Sequence, residues 1–104
     1  MTSLQDYASV HLHWGNIVIH IISVPFFMAS VLIGVLRLLS GDLVAVSASI
    51  AVAVMAIALQ GIGHQLEMNS PPPFTGPLDS IKRIFAEQFC RFWLFLVMKF
   101  QGLL

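Results

Sequence analysis

The chain has little of what a soluble domain uses to stay in water. Charged residues fill 10% of its 104 positions, against about 25% in ordinary soluble domains. Its five basic and five acidic residues cancel to a net charge of zero. No basic face is available for nucleic acid, and no acidic run for a basic partner. A single cysteine, Cys90, excludes an internal disulfide. It reads as a small buried apolar side chain rather than a reactive thiol. Internal repeats and low-complexity tracts are absent. No basic segment precedes the first apolar run and no lipidation motif is present, so neither a secretory leader nor a lipid anchor is expected. What the chain has in excess is hydrocarbon: 58% of its residues are hydrophobic and its mean hydropathy is +0.89. A chain this short hides only a modest part of its surface on folding. The expectation is that a bilayer covers the rest.

The apolar residues fall into two long runs. The first, 17–39 ("IVIHIISVPFFMASVLIGVLRLL"), has the length of a spanning helix, which needs about 20 residues. Pro25 lies inside it and predicts a kink. "SGD" at 40–42 is a tight break, with Asp42 placed to cap the next helix. The second run gives a spanning helix over 43–66, rich in the small residues that let helices approach closely. Ser47, Ala48, Ala51 and Met55 fall near one face of it. "NSPPPFTGP" then breaks the helical pattern. In 78–100, Ile81, Ile84, Phe85, Phe89, Phe92 and Leu96 recur at spacings of three and four. Lys82, Arg83, Glu87 and Arg91 interrupt them. This segment reads as an amphipathic or partly inserted helix, with Trp93 as an interfacial anchor. The predicted fold is therefore all-α: one membrane domain over 1–104, made of a two-helix spanning hairpin and a C-terminal helix. Arg37 alone lies near the turn, whereas Lys82, Arg83, Arg91 and Lys99 come after the second run. The excess of positive charge predicts both termini on the cytoplasmic side of the inner membrane.

Polar residues concentrate at one end of this hairpin. His20 precedes the turn by about 20 residues and His64 lies about 22 beyond it, so roughly 30 Å of helix separates each from the turn. The two histidines return to one level. Asn16 shares a helix face with His20, and Gln60 and Glu67 share one with His64. Ionisable groups beside a bilayer usually face a partner or a wet cavity. Three imidazoles (His11, His20, His64) and the Glu67 carboxylate form a candidate metal site suited to iron, zinc or manganese. Asn16 and Gln60 would orient the imidazoles. Blander readings compete for every residue. A histidine near a helix end is ordinarily satisfied by interfacial water, and His13 has neither the depth nor the pairing of the others. Tyr7 and Trp14 read as belt aromatics. Glu87 reads as a surface ion pair with Arg83 or Arg91 at spacing four.

"HLHWGNIVIHIISVP" places His11, Asn16, His20 and Pro25 in order. "QGIGHQLEMNSPPPF" places Gln60, Gly63, His64, Glu67 and a proline cluster. Together these blocks resemble the Mpo family of membrane enzymes, whose yeast type shortens 2-hydroxy fatty acids. The resemblance is close over about a third of the chain, and "PFTGP" with "KRIFAEQ" resembles short bacterial members. It implies an iron(II)-dependent dioxygenase that converts a 2-hydroxy fatty acid, with molecular oxygen as co-substrate, to an acid one carbon shorter. His11, His20 and His64 would be the iron ligands. Asn16, Gln60 and Glu67 would support them or handle the substrate carboxylate and hydroxyl. Yeast-type members are longer, and the small size of this chain points to two copies packing together as a homodimer. Two other readings remain at this stage: a non-catalytic hairpin holding haem between two histidines, and a small structural membrane protein without metal.

Overall fold

The computed structural model describes residues 4–69, 71 and 73–102. Ser70 and Pro72 of the proline linker lie outside that set. Among the described residues five α-helices run in order: α1 (Leu4–Ser9), α2 (Trp14–Leu39), α3 (Leu43–His64), α4 (Pro77–Ala86) and α5 (Phe92–Phe100). A π-helical turn, Glu87–Arg91, joins the last two. Among the described residues there is no strand, and the architecture is all-α as expected.

The hairpin of α2 and α3 is the frame. Its turn works as the sequence suggested. Gly41 takes φ +77°, a conformation that favours glycine. The Gly41 and Asp42 amides bond back to the Leu38 and Arg37 carbonyls at 3.1 and 2.9 Å, the paired pattern that closes a helix on a left-handed glycine. Asp42 then caps α3 by accepting from the Ala45 amide at 3.1 Å. α2 runs unbroken through Pro25. Both helices are long and apolar enough to cross a bilayer. They expose many large apolar side chains, among them Leu36, Leu39, Val44 and Met55.

Several boundaries differ from the expectation. α2 starts at Trp14 rather than 17, because the His13 ring accepts from the Gly15 amide at 2.9 Å and caps it. A short helix, α1, forms ahead of it. α3 stops at His64 rather than 66, where the next three amides switch to the tighter i→i−3 pattern. The expected helix 78–100 is instead α4, a π turn and α5.

Three packing assignments also change. Cys90, expected to be buried, is exposed. The buried face of α3 is Ser49, Ala56, Gln60 and Gly63, whereas Ser47, Ala48, Ala51 and Met55 are exposed. Close approach is real but lies elsewhere: a Cβ at Gly34 would stand 3.2 Å from Ser49 Cβ. Trp93 is half-buried and donates to Met28 Sδ at 3.1 Å, so it docks α5 on α2 instead of standing free as an anchor. The core is Tyr7, Ile17, Val24, Phe92 and Phe95. α5 thus covers the end of the hairpin that carries the histidines.

Candidate metal centre

Three separate segments each deliver one imidazole to one point. His11 comes from the loop between α1 and α2, His20 from the second turn of α2, and His64 from the last residue of α3. Their ring centroids lie 4.6 Å (His11–His20), 4.7 Å (His11–His64) and 5.1 Å (His20–His64) apart, and the planes meet at 76–82°. One ring nitrogen from each lies within 4.8 Å of the others. The antiparallel hairpin explains the meeting of His20 and His64, whose helices return to the same level.

Hydrogen bonds fix which nitrogens face inward. His11 Nδ1 lies 2.7 Å from the Tyr7 carbonyl, and His20 Nδ1 lies 2.9 Å from the Asn16 carbonyl. A carbonyl only accepts, so each Nδ1 carries the hydrogen and donates. Each Nε2 of the neutral rings is then a bare lone pair. These two lone pairs face each other across 3.3 Å. Lone pairs at that distance repel unless a cation or proton lies between them. Burial, and then His20, push the His11 pKa down to about 3, which disfavours the proton. The 3.3 Å spacing suits two nitrogens on one metal at about 2.1 Å each, with a ligand–metal–ligand angle of roughly 100°. His64 Nδ1 is buried without a hydrogen-bond partner. The donor set therefore fits a divalent metal held by three imidazoles.

The rings are held from behind. Tyr7 stacks on His11 at 4.0 Å and 16°, and Phe92 stacks on His20 at 5.8 Å and 28°. Tyr7 is 1% exposed, so it is a wall of the site and not a belt aromatic. Burial, and then Glu87, raise its hydroxyl pKa. Trp14 is exposed, with Lys99 Nζ 5.2 Å from its ring centre.

Glu67 stands elsewhere than its spacing implied. The tight turn after His64 swings it off the α3 face. Its carboxylate accepts from the Leu12 amide (2.8 Å), the His13 amide (2.9 Å) and Asn16 Nδ2 (2.8 Å). It therefore binds the start of α2 to the end of α3, with its oxygens occupied by these donors. Asn69 adds a second tie, donating to the Ser9 carbonyl at 3.0 Å. Because a carboxylate only accepts, the bond to Glu67 fixes the Asn16 amide. Asn16 Oδ1 then points at Gly63 and is buried without a partner.

Gln60 faces a partner that the sequence reading overlooked. Gln60 Nε2 donates to Gln88 Oε1 at 2.8 Å, and Gln88 Nε2 returns a bond to Gln60 Oε1 at 2.6 Å. Both are buried. They border a cavity of about 440 Å³ that also touches His20, His64, Arg83 and Glu87. Arg83 is held by the Pro73 carbonyl at 3.1 Å, the Phe74 ring at 4.5 Å and Asp79 at 3.6 Å. Glu87 is half-buried. Burial raises its carboxyl pKa, and Arg83 and then Arg91 oppose that. His13 lies outside the cluster as the cap of α2. Tyr7, Arg83, Gln88 and Phe92 were the neighbours missed. The one available hint was Gln88, an amide on the otherwise apolar stripe of the last segment.

A hairpin of two apolar helices with three inward imidazoles beside a cavity defines an all-helical, membrane-type protein with a buried histidine cluster. A family model described as "2-hydroxy-palmitic acid dioxygenase Mpo1-like" matches residues 2–100, and the chain belongs to this Mpo1-like family. No curated protein and no solved structure matches the chain.

Proposed function

We propose that the protein is an iron(II)-dependent dioxygenase of the inner membrane, with both termini cytoplasmic, that shortens 2-hydroxy fatty acids by one carbon. The observation that carries this reading is the pair of Nε2 lone pairs facing each other at 3.3 Å, with His64 beside them. The family description supports the substrate class. The atoms balance as a 2-hydroxy acid plus oxygen giving the acid one carbon shorter, carbon dioxide and water. Bound at the three imidazoles, iron(II) would supply the redox chemistry that brings oxygen to the substrate.

The chain's own residues do the rest. The Tyr7 and Asn16 carbonyls hold two tautomers with Nε2 turned inward. Glu67 fixes the loop that carries His11 against α2 and the end of α3. The Gln60–Gln88 pair forms part of the cavity wall, and Arg83 gives that cavity a guanidinium for an incoming carboxylate. A haem between two of these rings fits less well. Its broad macrocycle has no space among three rings at 4.6–5.1 Å.

The test is oxygen-dependent conversion of a long-chain 2-hydroxy acid by anaerobically iron-loaded protein and by His64→Ala. Wild type should bind stoichiometric iron without a Soret band and turn over. His64→Ala should lose both properties, and equal turnover by the two would refute the site.

A further inference from the structure

The cavity beside the histidines has an apolar neighbour. Two of its residues, Ile57 of α3 and Ile84 of α4, also line a second groove of about 350 Å³. That groove runs along the hairpin beneath α4. Its walls are hydrocarbon throughout, including Phe27, Val31, Ala53 and Phe85. Phe27 and Phe85, which meet edge-on at 5.7 Å, both line it. Val54, Ile81 and Phe85 stay partly exposed along its length, so it opens sideways, toward the region where a bilayer would lie.

The shape is that of an amphiphile. One end holds imidazoles, a guanidinium, amides and the Glu87 carboxyl, whose pKa burial raises, and the other holds only side-chain carbon. We infer that this apolar groove seats the hydrocarbon tail of the substrate, which enters sideways from the bilayer between α4 and the hairpin while its carboxylate and hydroxyl lie in the cavity beside His20 and His64. This inference rests on the proposed 2-hydroxy acid reading. The two spaces adjoin at Ile57 and Ile84, and their adjacency argues for one ligand filling both.

The helices give a length. His20 to Val31 and His64 to Ala53 are each eleven residues, or about 16 Å. A zigzag of ~1.5 Å bonds advances about 1.25 Å per carbon. The cavity and groove together therefore cover about 13 carbons, and longer tails project past Val31 and Ala53 into lipid. Obstacles at two depths should cut the tail at two lengths. Ile57→Trp blocks at the threshold, and Ala53→Phe blocks near the far end.

Turnover of a series of 2-hydroxy acids from medium to long chain reads this directly. Ala53→Phe should lose at least tenfold on the long chains relative to the medium ones. Ile57→Trp should shift the preference to still shorter chains. Wild-type length profiles in both variants would overturn the inference while leaving the reaction intact. A second measurement needs no turnover. A long-chain 2-hydroxy acid with a mid-chain diazirine should photolabel Ala53, Ile84 and Phe85, and excess unlabelled 2-hydroxy acid should suppress that labelling. Labelling of outward residues such as Val44 and Leu36 should persist. Suppressed groove labelling in a protein without dioxygenase activity would keep the groove and discard the reaction. Groove labelling that resists competition, as ordinary lipid contact would, overturns the inference.

Discussion

Glu67→Ala separates a positioning carboxylate from a metal ligand. The side chain accepts from two backbone amides and from Asn16 Nδ2. Leu12 and His13 are exposed, so water replaces most of what their amides lose, at about 0.5–1 kcal/mol each. Asn16 is 0% exposed. Without the carboxylate its amide keeps one 3.3 Å bond to the Val10 carbonyl, and the loss of a charged acceptor costs about 1.5–3 kcal/mol. The total is roughly 2.5–5 kcal/mol, borne by the loop that presents His11. Part of this will appear as weaker metal binding, since removing a group that orients a ligand typically lowers affinity about 10–100-fold. The assay is anaerobic iron(II) titration, with cobalt(II) absorption as a probe of the ligand set. Glu67→Ala should still reach one metal per chain at saturation, with unchanged cobalt bands and a midpoint shifted by about one to two decades. Glu67→Gln, which keeps one acceptor oxygen, should fall between. Loss of stoichiometric metal, or a new cobalt spectrum, would mean that Glu67 ligates and that the positioning argument is wrong.

The hairpin, the amide pair and the buried imidazole yield further expectations. Gly63→Ala places a Cβ against Asn16 Oδ1, and Asn16 is tied to Glu67, so the clash should cost about 1–3 kcal/mol, read as a lowered thermal midpoint in detergent. Gln60→Leu strands a buried Gln88 amide at about 1–3 kcal/mol, and the Gln60→Leu/Gln88→Leu double variant should recover most of it; additive losses in a double-mutant cycle would refute the pairing. The third concerns pH in chelator-treated protein. His11 titrates at about 3 when folded and near 6.5 when unfolded, so the unfolded chain takes up the proton first. Its contribution is present above about pH 6.5 and is lost as pH falls toward 3, at up to ~1.4 kcal/mol per unit. Denaturant midpoints at neutral and acid pH should show this slope, and an equal slope in His11→Asn would assign it to another group.

The parts of the fold written in periodicity and length were legible. Two runs of about 20 apolar residues separated by "SGD" specify a hairpin, and the helix rise alone brings His20 and His64 to one level. The face of α3 was not legible, because a helix of Ala, Val and Ser is apolar all round and its pattern favours no side. Glu67 misled for a different reason. At three residues from His64 it belongs on the same face only if the α-helix continues, and the switch to i→i−3 bonding moved it. Nothing in "LQDYASV" marks Tyr7 as a wall, since its position depends on α5 folding back from the far end of the chain. Gln88 is similar: its partner is 28 positions away, beyond the reach of any local pattern.

The turn at 40–42 lies at the opposite end of α2 and α3 from the histidines, which has a consequence for how the molecule comes into being. The residues that would grip a metal run from His11 to His64, and those that complete the cavity wall run from Pro71 to Gln88. During synthesis, two imidazoles emerge early and wait through the whole of the hairpin for the third. Ion capture and closure of the substrate chamber are thus successive events along the chain: the first can begin only when His64 has returned beside His20, and the second only when α4 has emerged in turn.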